Sequence, residues 1–255
     1  MKYFIPRNCF VLFTIALGLG STSCNRYFSP RGQVAYTKLQ IDSTLTGDPG
    51  FMRLYAPYRL KLEAEMNRVV GHTDVDLTKP SNAPETRLGN FFADALLAEG
   101  RKLYPEAEFS FGTKGGLRME LQKGDITVGN LFELMPFENE LVLLELSGKS
   151  VAQLAQFIAA TGGQPVAGLR MRIKEGKATG ITIGGKPLNP SRTYKLITYD
   201  YLANGGDNSR GLNNPVSRIN LGQKVRDALI TYVSEQARAG NHINTQLDER
   251  IIRYQ

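Results

Sequence analysis

The sequence contains no tryptophan, two cysteines and two histidines among its 255 residues. Two histidines are too few for a two-metal hydrolytic centre, which needs about six to eight His, Asp and Asn ligands around its two ions. No Gly-x-Ser-x-Gly sequence occurs either, so a serine-nucleophile hydrolase has no support. The sequence alone therefore offers no centre for hydrolytic catalysis.

Long runs of like charge are also missing. The formal net charge is +7, but it is spread along the chain, which suits an anionic small molecule or a membrane surface. There is no aromatic-rich basic motif of the RNA-binding kind, and we expect no nucleic-acid partner. Hydrophobic content of 42% with 22% charged residues is ordinary for a globular protein with a substantial core.

The N-terminus has the layout of a secretory signal. Lys2 and Arg7 precede an apolar run over 9–19 that is too short to span a membrane, and small residues then lead to Cys24. This resembles a lipoprotein signal over 1–23, in which Cys24 would be lipidated; the alternative is simple secretion with Cys24 unmodified. Since Cys9 would leave with the signal, neither a disulfide framework nor a cysteine metal site is expected. We expect a bacterial envelope protein that faces the periplasm.

Beyond the signal, the sequence predicts three parts. Residues 24–47 are a polar tether, 48–84 contain a linker helix with a lead-in, and 85–255 form one domain. A second helix is predicted to open near Glu85 and to stop at Gly100. Helices and strands alternate irregularly, without an even βαβ rhythm, so the fold class is α+β.

The stretch from Tyr194 to Asp207 is predicted to build a pocket wall. Its first half reads as a buried strand and its second half as a glycine turn that ends on a carboxylate. In this interpretation the strand delivers the aromatic ring of Tyr201, and the turn delivers Asp207 as a directed acceptor. The alternative is a strand, an ordinary Gly-Gly turn and a solvated Asp207.

Short motifs follow one another in a fixed order along the chain. They are Glu-x-x-Leu-Gly-Asn with Ala-Asp-Ala over 85–95, Gly-Gly-Leu-Arg over 115–118, Gly-Asp-Ile-Thr over 124–127, Pro-Phe-x-Asn over 136–139, Leu-x-Gly over 146–148 and Gly-Gly-Asp over 205–207. Together they resemble the C-terminal, substrate-binding domain of the 5′-nucleotidases. The similarity runs from about Val69 to the C-terminus, and it implies mixed sheets flanked by helices.

The resemblance also implies a nucleoside pocket. Phe137 and Tyr201 correspond to two rings that clamp the base, and a base gains about 1–3 kcal/mol from each stacking face. Asp207 corresponds to the carboxylate that holds the ribose hydroxyls through charge-assisted hydrogen bonds.

Three further positions match residues that contact the substrate in the family. Arg118 corresponds to a substrate-binding arginine, Asn139 to a polar base or ribose contact, and Gly162 to a glycine that lets the backbone approach the base. One departure is Thr113-Lys114, which replaces the start of the family's glycine loop and is expected to narrow it or to add a cation.

In the family, a separate N-terminal domain is a two-metal phosphoesterase. Here His72 and His242 are expected to be structural or solvated, so no metal or cofactor is expected in this chain. The preferred hypothesis is the nucleotide-binding half of a split 5′-nucleotidase, inactive alone, with two divalent metals on a separate metallophosphoesterase chain. A non-catalytic nucleotide- or nucleoside-binding lipoprotein is the alternative, and a structural lipoprotein with a decayed pocket is a third.

Overall fold

A computed structural model describes residues 38–42 and 44–254 of the chain. The predicted signal over 1–23, Cys24 and the tether up to residue 37 lie outside the described residues. The chain divides into two units, one up to Pro49 and one from Gly50 onward. In the first unit the described residues are exposed, and Asp42 accepts hydrogen bonds from the backbone and hydroxyl of Thr44.

The described elements include six α-helices and eleven strands. The helices are α1 (Pro49–Met66), α2 (Arg87–Leu103), α3 (Val128–Leu134), α4 (Gly148–Ala160), α5 (Asp200–Ala203) and α6 (Val225–Arg238). The strands are β1 (Val69–Thr73), β2 (Phe109–Phe111), β3 (Gly124–Thr127), β4 (Glu140–Ser147), β5 (Val166–Ala167), β6 (Leu169–Lys174), β7 (Lys177–Ile183), β8 (Lys186–Pro187), β9 (Thr193–Tyr199), β10 (Ser217–Lys224) and β11 (Ile251–Tyr254).

A five-stranded sheet in the order β10-β4-β9-β2-β5 forms the centre of the second unit. Strands β4 and β9 pair antiparallel, from Leu141 opposite Tyr199 to Ser147 opposite Thr193. Strand β2 pairs parallel to β9, which makes the sheet mixed. The predicted α+β class with mixed sheets flanked by helices is confirmed.

Helix α2 packs against this sheet through Gly100. A Cβ atom at Gly100 would lie 2.5 Å from the Cγ1 atom of Ile197, so only glycine allows the helix this close to β9. The prediction that Gly100 stops the helix was wrong, because α2 continues to Leu103. Close packing, and not helix termination, requires glycine at this position.

Two smaller sheets complete the fold. One pairs β1 with β3, and the other has the order β11-β6-β7-β8. Along β6, the side chains of Leu169, Met171 and Ile173 are buried while the residues between them are exposed. This alternation is expected of a strand with one face on the core.

The polar residues of the 85–95 motif fix the start of α2 to the end of the chain. The carboxylate of Glu85 accepts hydrogen bonds from the Asn90 side chain and from the backbone of Asp248 and Arg250. Asp94 binds the Arg250 guanidinium at 2.7 and 2.8 Å. Burial lowers the pKa of Arg250, but the hydrogen bonds and charge of Asp94 outweigh it and the pKa rises. This motif is therefore structural.

Helix α1 has no buried residue, and most of its residues are exposed. Its apolar side chains Leu54, Tyr58 and Leu62 are all exposed. Pro57 lies inside the helix. Among the residues that the structure describes, no helix has both the length and the hydrophobicity of a membrane span.

Candidate binding site

A cavity of about 170 Å³ lies where the glycine loop after β2, the turn before β4 and the segment after β9 meet. Its lining consists of Gly115, Gly116, Arg118, Phe137, Asn139, Tyr199, Tyr201 and Asp207. Five of the six predicted substrate-binding residues therefore lie around one cavity. Gly162 is not among the lining residues.

Tyr201 and Asp207 reach the cavity from two short turns. Strand β9 ends at Tyr199, and Tyr201 lies on the one-turn helix α5 that follows. The prediction that a strand delivers Tyr201 was wrong in this respect, since the chain has already left the sheet. Asp207 has a φ of +53°. A Cβ atom at Gly206 would lie 2.4 Å from the Tyr201 ring, so glycine lets the turn pack against that ring.

The carboxylate of Asp207 is oriented by two hydroxyl groups. Thr113 donates to its Oδ2 atom at 2.5 Å, and Tyr201 donates to its Oδ1 atom at 3.0 Å. Each carboxylate oxygen has a second lone pair, so Asp207 can still accept hydrogen bonds from a ligand. Because Asp207 is exposed, those lone pairs are accessible.

The hydroxyl groups of Thr113 and Tyr199 support the carboxylate of Asp207. Neither contribution was predicted from the sequence. Both residues are buried, and their hydroxyl groups lie 3.3 Å apart. Burial raises the pKa of Tyr199 to about 12, so its hydroxyl stays protonated at neutral pH. From the sequence, Thr113 stands out only as a departure from the family's glycine loop.

The glycine loop approaches its neighbours closely. A Cβ atom at Gly112 would lie 2.6 Å from the Phe92 ring, and one at Gly116 would lie 2.9 Å from the Tyr199 hydroxyl. The expected extra cation is not among the residues that line the cavity, since the Lys114 ammonium donates to the Ala83 carbonyl at 2.5 Å. Burial, with the charge of Arg253 second, lowers the pKa of Lys114.

The other side of the cavity carries an arginine, an asparagine and an aromatic ring. The guanidinium of Arg118 lies 5.2 Å from the centroid of the half-buried Phe137 ring. Within the described part of the chain, the Arg118 side chain has no ion pair and the Asn139 amide has no hydrogen-bond partner. The Asn139 backbone is held by the Val225 N–H at 2.9 Å. This side can therefore offer an aromatic face, a cation and an amide.

Gly162 lies just beyond α4, at a φ of +78°. Its carbonyl accepts a hydrogen bond from Arg253 at 2.8 Å. A Cβ atom there would lie 2.9 Å from that guanidinium nitrogen. The glycine therefore connects the end of α4 to β11.

The resemblance implies two divalent metal ions for catalysis. In the described part of the chain, one group of possible metal ligands occurs, formed by His72, Asp74 and His242. Three donors can hold one ion but not two ions with a bridging water. The residues do not fit a two-metal centre, and no catalytic step is assigned to metals bound by this chain.

Comparison with known proteins identifies the family. The family model "5′-nucleotidase, C-terminal domain" matches residues 69–214. The chain belongs to this family. The match contains the glycine loop, the 136–139 turn and the 205–207 turn, which surround the cavity.

Relatives of this 5′-nucleotidase C-terminal domain match it over most of the chain. Protein UshA of Salmonella pullorum is 28% identical over 199 residues, which cover 74% of this chain and 35% of UshA. The trifunctional nucleotide phosphoesterase YfkN of Bacillus subtilis is 27% identical over 232 residues, covering 84% of this chain and 16% of YfkN. The chain thus spans about a third or less of the length of these relatives.

The fold is shared with solved structures. The 5′-nucleotidase precursor of Thermus thermophilus superimposes with a TM-score of 0.68 at 24% identity, over 79% of this chain and 42% of that one. At this identity the likeness concerns the fold alone.

Proposed function

We propose that the chain is the nucleotide-binding half of a 5′-nucleotidase and acts with a separate two-metal phosphoesterase chain in nucleotide breakdown. The observation that carries the proposal is the cavity, where the rings of Phe137 and Tyr201, the carboxylate of Asp207 and the guanidinium of Arg118 meet. An aromatic base, vicinal hydroxyls and a phosphate are the complementary groups of a nucleotide.

The base and the sugar have separate partners. Phe137 and Tyr201 supply the rings on which a base stacks, with about 1–3 kcal/mol for each face. Asp207 accepts hydrogen bonds from the ribose hydroxyls, and its orientation by Thr113 and Tyr201 reduces the entropy lost on binding. The amide of Asn139, which lines the cavity, adds a donor and an acceptor for the base edge or the ribose.

Arg118 links base binding to the phosphate. In the free protein its guanidinium lies over the Phe137 ring, on a face that a base would use. A base that stacks on this face displaces the guanidinium, which is then available to pair with the phosphate. The assignment of Gly162 as a substrate contact stays a prediction, because Gly162 is not among the residues that line the cavity.

The sequence pattern at the N-terminus supports a location in the cell envelope. We propose that the chain is cleaved before Cys24 and lipidated there, so that it faces the periplasm. Mass spectrometry of the mature N-terminus from a bacterial host tests this. A mature chain that retains residues 1–23, or begins at an unmodified Cys24, would contradict lipid anchoring.

The binding and catalytic parts of the proposal are tested separately. Calorimetry with adenosine, AMP and UDP-glucose measures binding to the chain alone. Phosphate release from AMP with manganese present is then measured for the chain alone and with a metallophosphoesterase domain added. We expect the chain alone to bind these ligands without releasing phosphate from AMP. Hydrolysis by the chain alone would contradict it, and binding that never leads to hydrolysis with any added domain would favour the non-catalytic lipoprotein.

A further inference from the structure

The two histidines of the chain lie against each other. The centroids of the His72 and His242 rings are 4.7 Å apart, with 43° between the ring planes. Each ring also meets a carboxylate through its Nδ1 atom. The distances are 3.0 Å from His72 to Asp125 Oδ1 and 2.9 Å from His242 to Asp74 Oδ1.

Main-chain hydrogen bonds hold these four residues in place. His72 and Asp125 are directly opposite each other in the β1–β3 pair. The backbone N–H of Ile243 donates to the His72 carbonyl at 2.8 Å, and that of Asp74 donates to the Ile243 carbonyl at 3.0 Å. The main chain therefore sets this arrangement, which does not depend on flexible side chains alone.

The hydrogen bonds set the chemistry of the rings. An ionised carboxylate only accepts, so the Nδ1 atom of His72 carries the proton toward Asp125. In the neutral ring this leaves a free lone pair on Nε2, and a carboxylate behind the ring is the usual support of a metal-binding histidine. One possible ligand atom from each of His72, Asp74 and His242 lies within 4.8 Å of the others.

We infer that His72, Asp74 and His242 form a site for one zinc ion, with Asp125 as a positioning residue for the His72 ring. Two imidazoles with a carboxylate are a donor set that Zn²⁺ accepts in tetrahedral geometry. The fourth position is left for water or another donor. None of the four residues lines the nucleotide cavity, so the site is independent of the proposed function.

The ion would connect distant parts of the chain. His72 and Asp74 lie at the end of β1, and His242 lies in the loop after α6. Zinc bound there would join the first strand of the family domain to the segment that leads to β11. A ligand that binds only the folded state raises the melting temperature, so a structural role for zinc is the expected consequence.

Equilibrium dialysis of the metal-free full chain against zinc chloride tests the site. We expect one zinc per chain, with affinity at least tenfold lower in both His72→Ala and His242→Ala. Asp125→Asn should weaken binding 10–100-fold, as loss of a carboxylate behind a ligand does. Asp227→Asn removes an exposed acid elsewhere and should change nothing. No bound zinc, or full affinity in the double variant His72→Ala/His242→Ala, would overturn the proposal.

NMR of the imidazole nitrogens tests the geometry directly. With two histidines in the chain, each single variant assigns one set of ring signals. Zinc should shift the Nε2 signal of His72 while its Nδ1 keeps the proton that it donates to Asp125. Ring signals that do not move when zinc is bound would place the ion elsewhere and overturn the assignment.

Discussion

The phenol of Tyr201 donates a hydrogen bond of 3.0 Å to the Oδ1 atom of Asp207, six residues further along the chain. The backbone N–H of Asp207 in turn lies 3.3 Å from the same phenol oxygen. The aromatic ring and the acid are therefore one unit. In the proposed function, one residue stacks on the base while it also orients the carboxylate for the ribose.

This coupling predicts a graded effect of substitutions at Tyr201. Tyr201→Phe keeps the stacking face but loses the hydrogen bond, and it should weaken adenosine binding by about 0.5–1.5 kcal/mol. Tyr201→Ala also loses the stack and should cost about 1–3 kcal/mol more. Calorimetric titration measures both. Equal affinities of the two variants would mean that the ring does not stack on the ligand.

The carboxylate of Asp207 should account for recognition of the sugar. Asp207→Ala is expected to weaken adenosine binding by about 1–3 kcal/mol and to leave the fold intact, because the side chain is exposed. The wild type should also bind adenosine more tightly than 2′,3′-dideoxyadenosine, which lacks both hydroxyls. The variant should lose this preference, and the matched variant Asp227→Ala should retain it. A preference that survives in Asp207→Ala would remove Asp207 from the ribose site.

Tyr199 should make stability depend on pH in the alkaline range. Its pKa is raised to about 12 by burial, against about 10 in an unfolded chain. The folded state therefore holds the proton longer, and the free energy of unfolding falls as the pH rises from about 10 to 12. The slope from this one group is at most about 1.4 kcal/mol per pH unit.

Comparison with Tyr199→Phe isolates this contribution. The other tyrosines ionise in both proteins and their effects cancel. The free energy of unfolding of the wild type, measured in urea relative to that of Tyr199→Phe, should therefore fall between pH 9 and pH 11. A difference in free energy of unfolding that stays constant across this range would show that Tyr199 ionises as readily in the folded chain as in the unfolded one.

Gly100 should resist replacement even by alanine. Alanine favours a helix by about 1 kcal/mol over glycine, but its Cβ atom would overlap the Ile197 side chain. We expect Gly100→Ala to destabilise the fold by about 1–3 kcal/mol through overpacking. In an Ile197→Ala background the same change should be neutral or stabilising. Equal costs in both backgrounds would contradict the packing explanation.

The parts of the fold that could be predicted are those with strong periodicity and local signals. Strand β4 contains the continuous apolar run 141–144, and Ser147 caps α4 by accepting a hydrogen bond from the Ser150 backbone. Helix α3 was missed because it has only seven residues, although Thr127 and Asn130 form a capping box at its start. Strand β10 was missed because it is half exposed and has no strong apolar alternation.

Some residues of the site could likewise be predicted from the sequence, and others could not. Resemblance supplied Arg118, Phe137 and Asp207, whose motifs are contiguous in the sequence. Thr113 and Tyr199 are separated by 86 residues, and only the fold brings their hydroxyl groups together. The contact between the His72 and His242 rings could not be predicted for the same reason, because the two residues lie far apart in the sequence.

The binding of a nucleotide in the cavity is tested by titrating AMP into three proteins: wild type, Phe137→Ala and Tyr254→Ala. The two substitutions are matched, because Arg118 lies over Phe137 at 5.2 Å while Arg172 lies over Tyr254 at 5.8 Å, outside the cavity. We predict calorimetric binding by the wild type and Tyr254→Ala, and a binding free energy less favourable by about 1–3 kcal/mol in Phe137→Ala. Equal affinity in all three proteins, or no binding by the wild type at millimolar AMP, would contradict it.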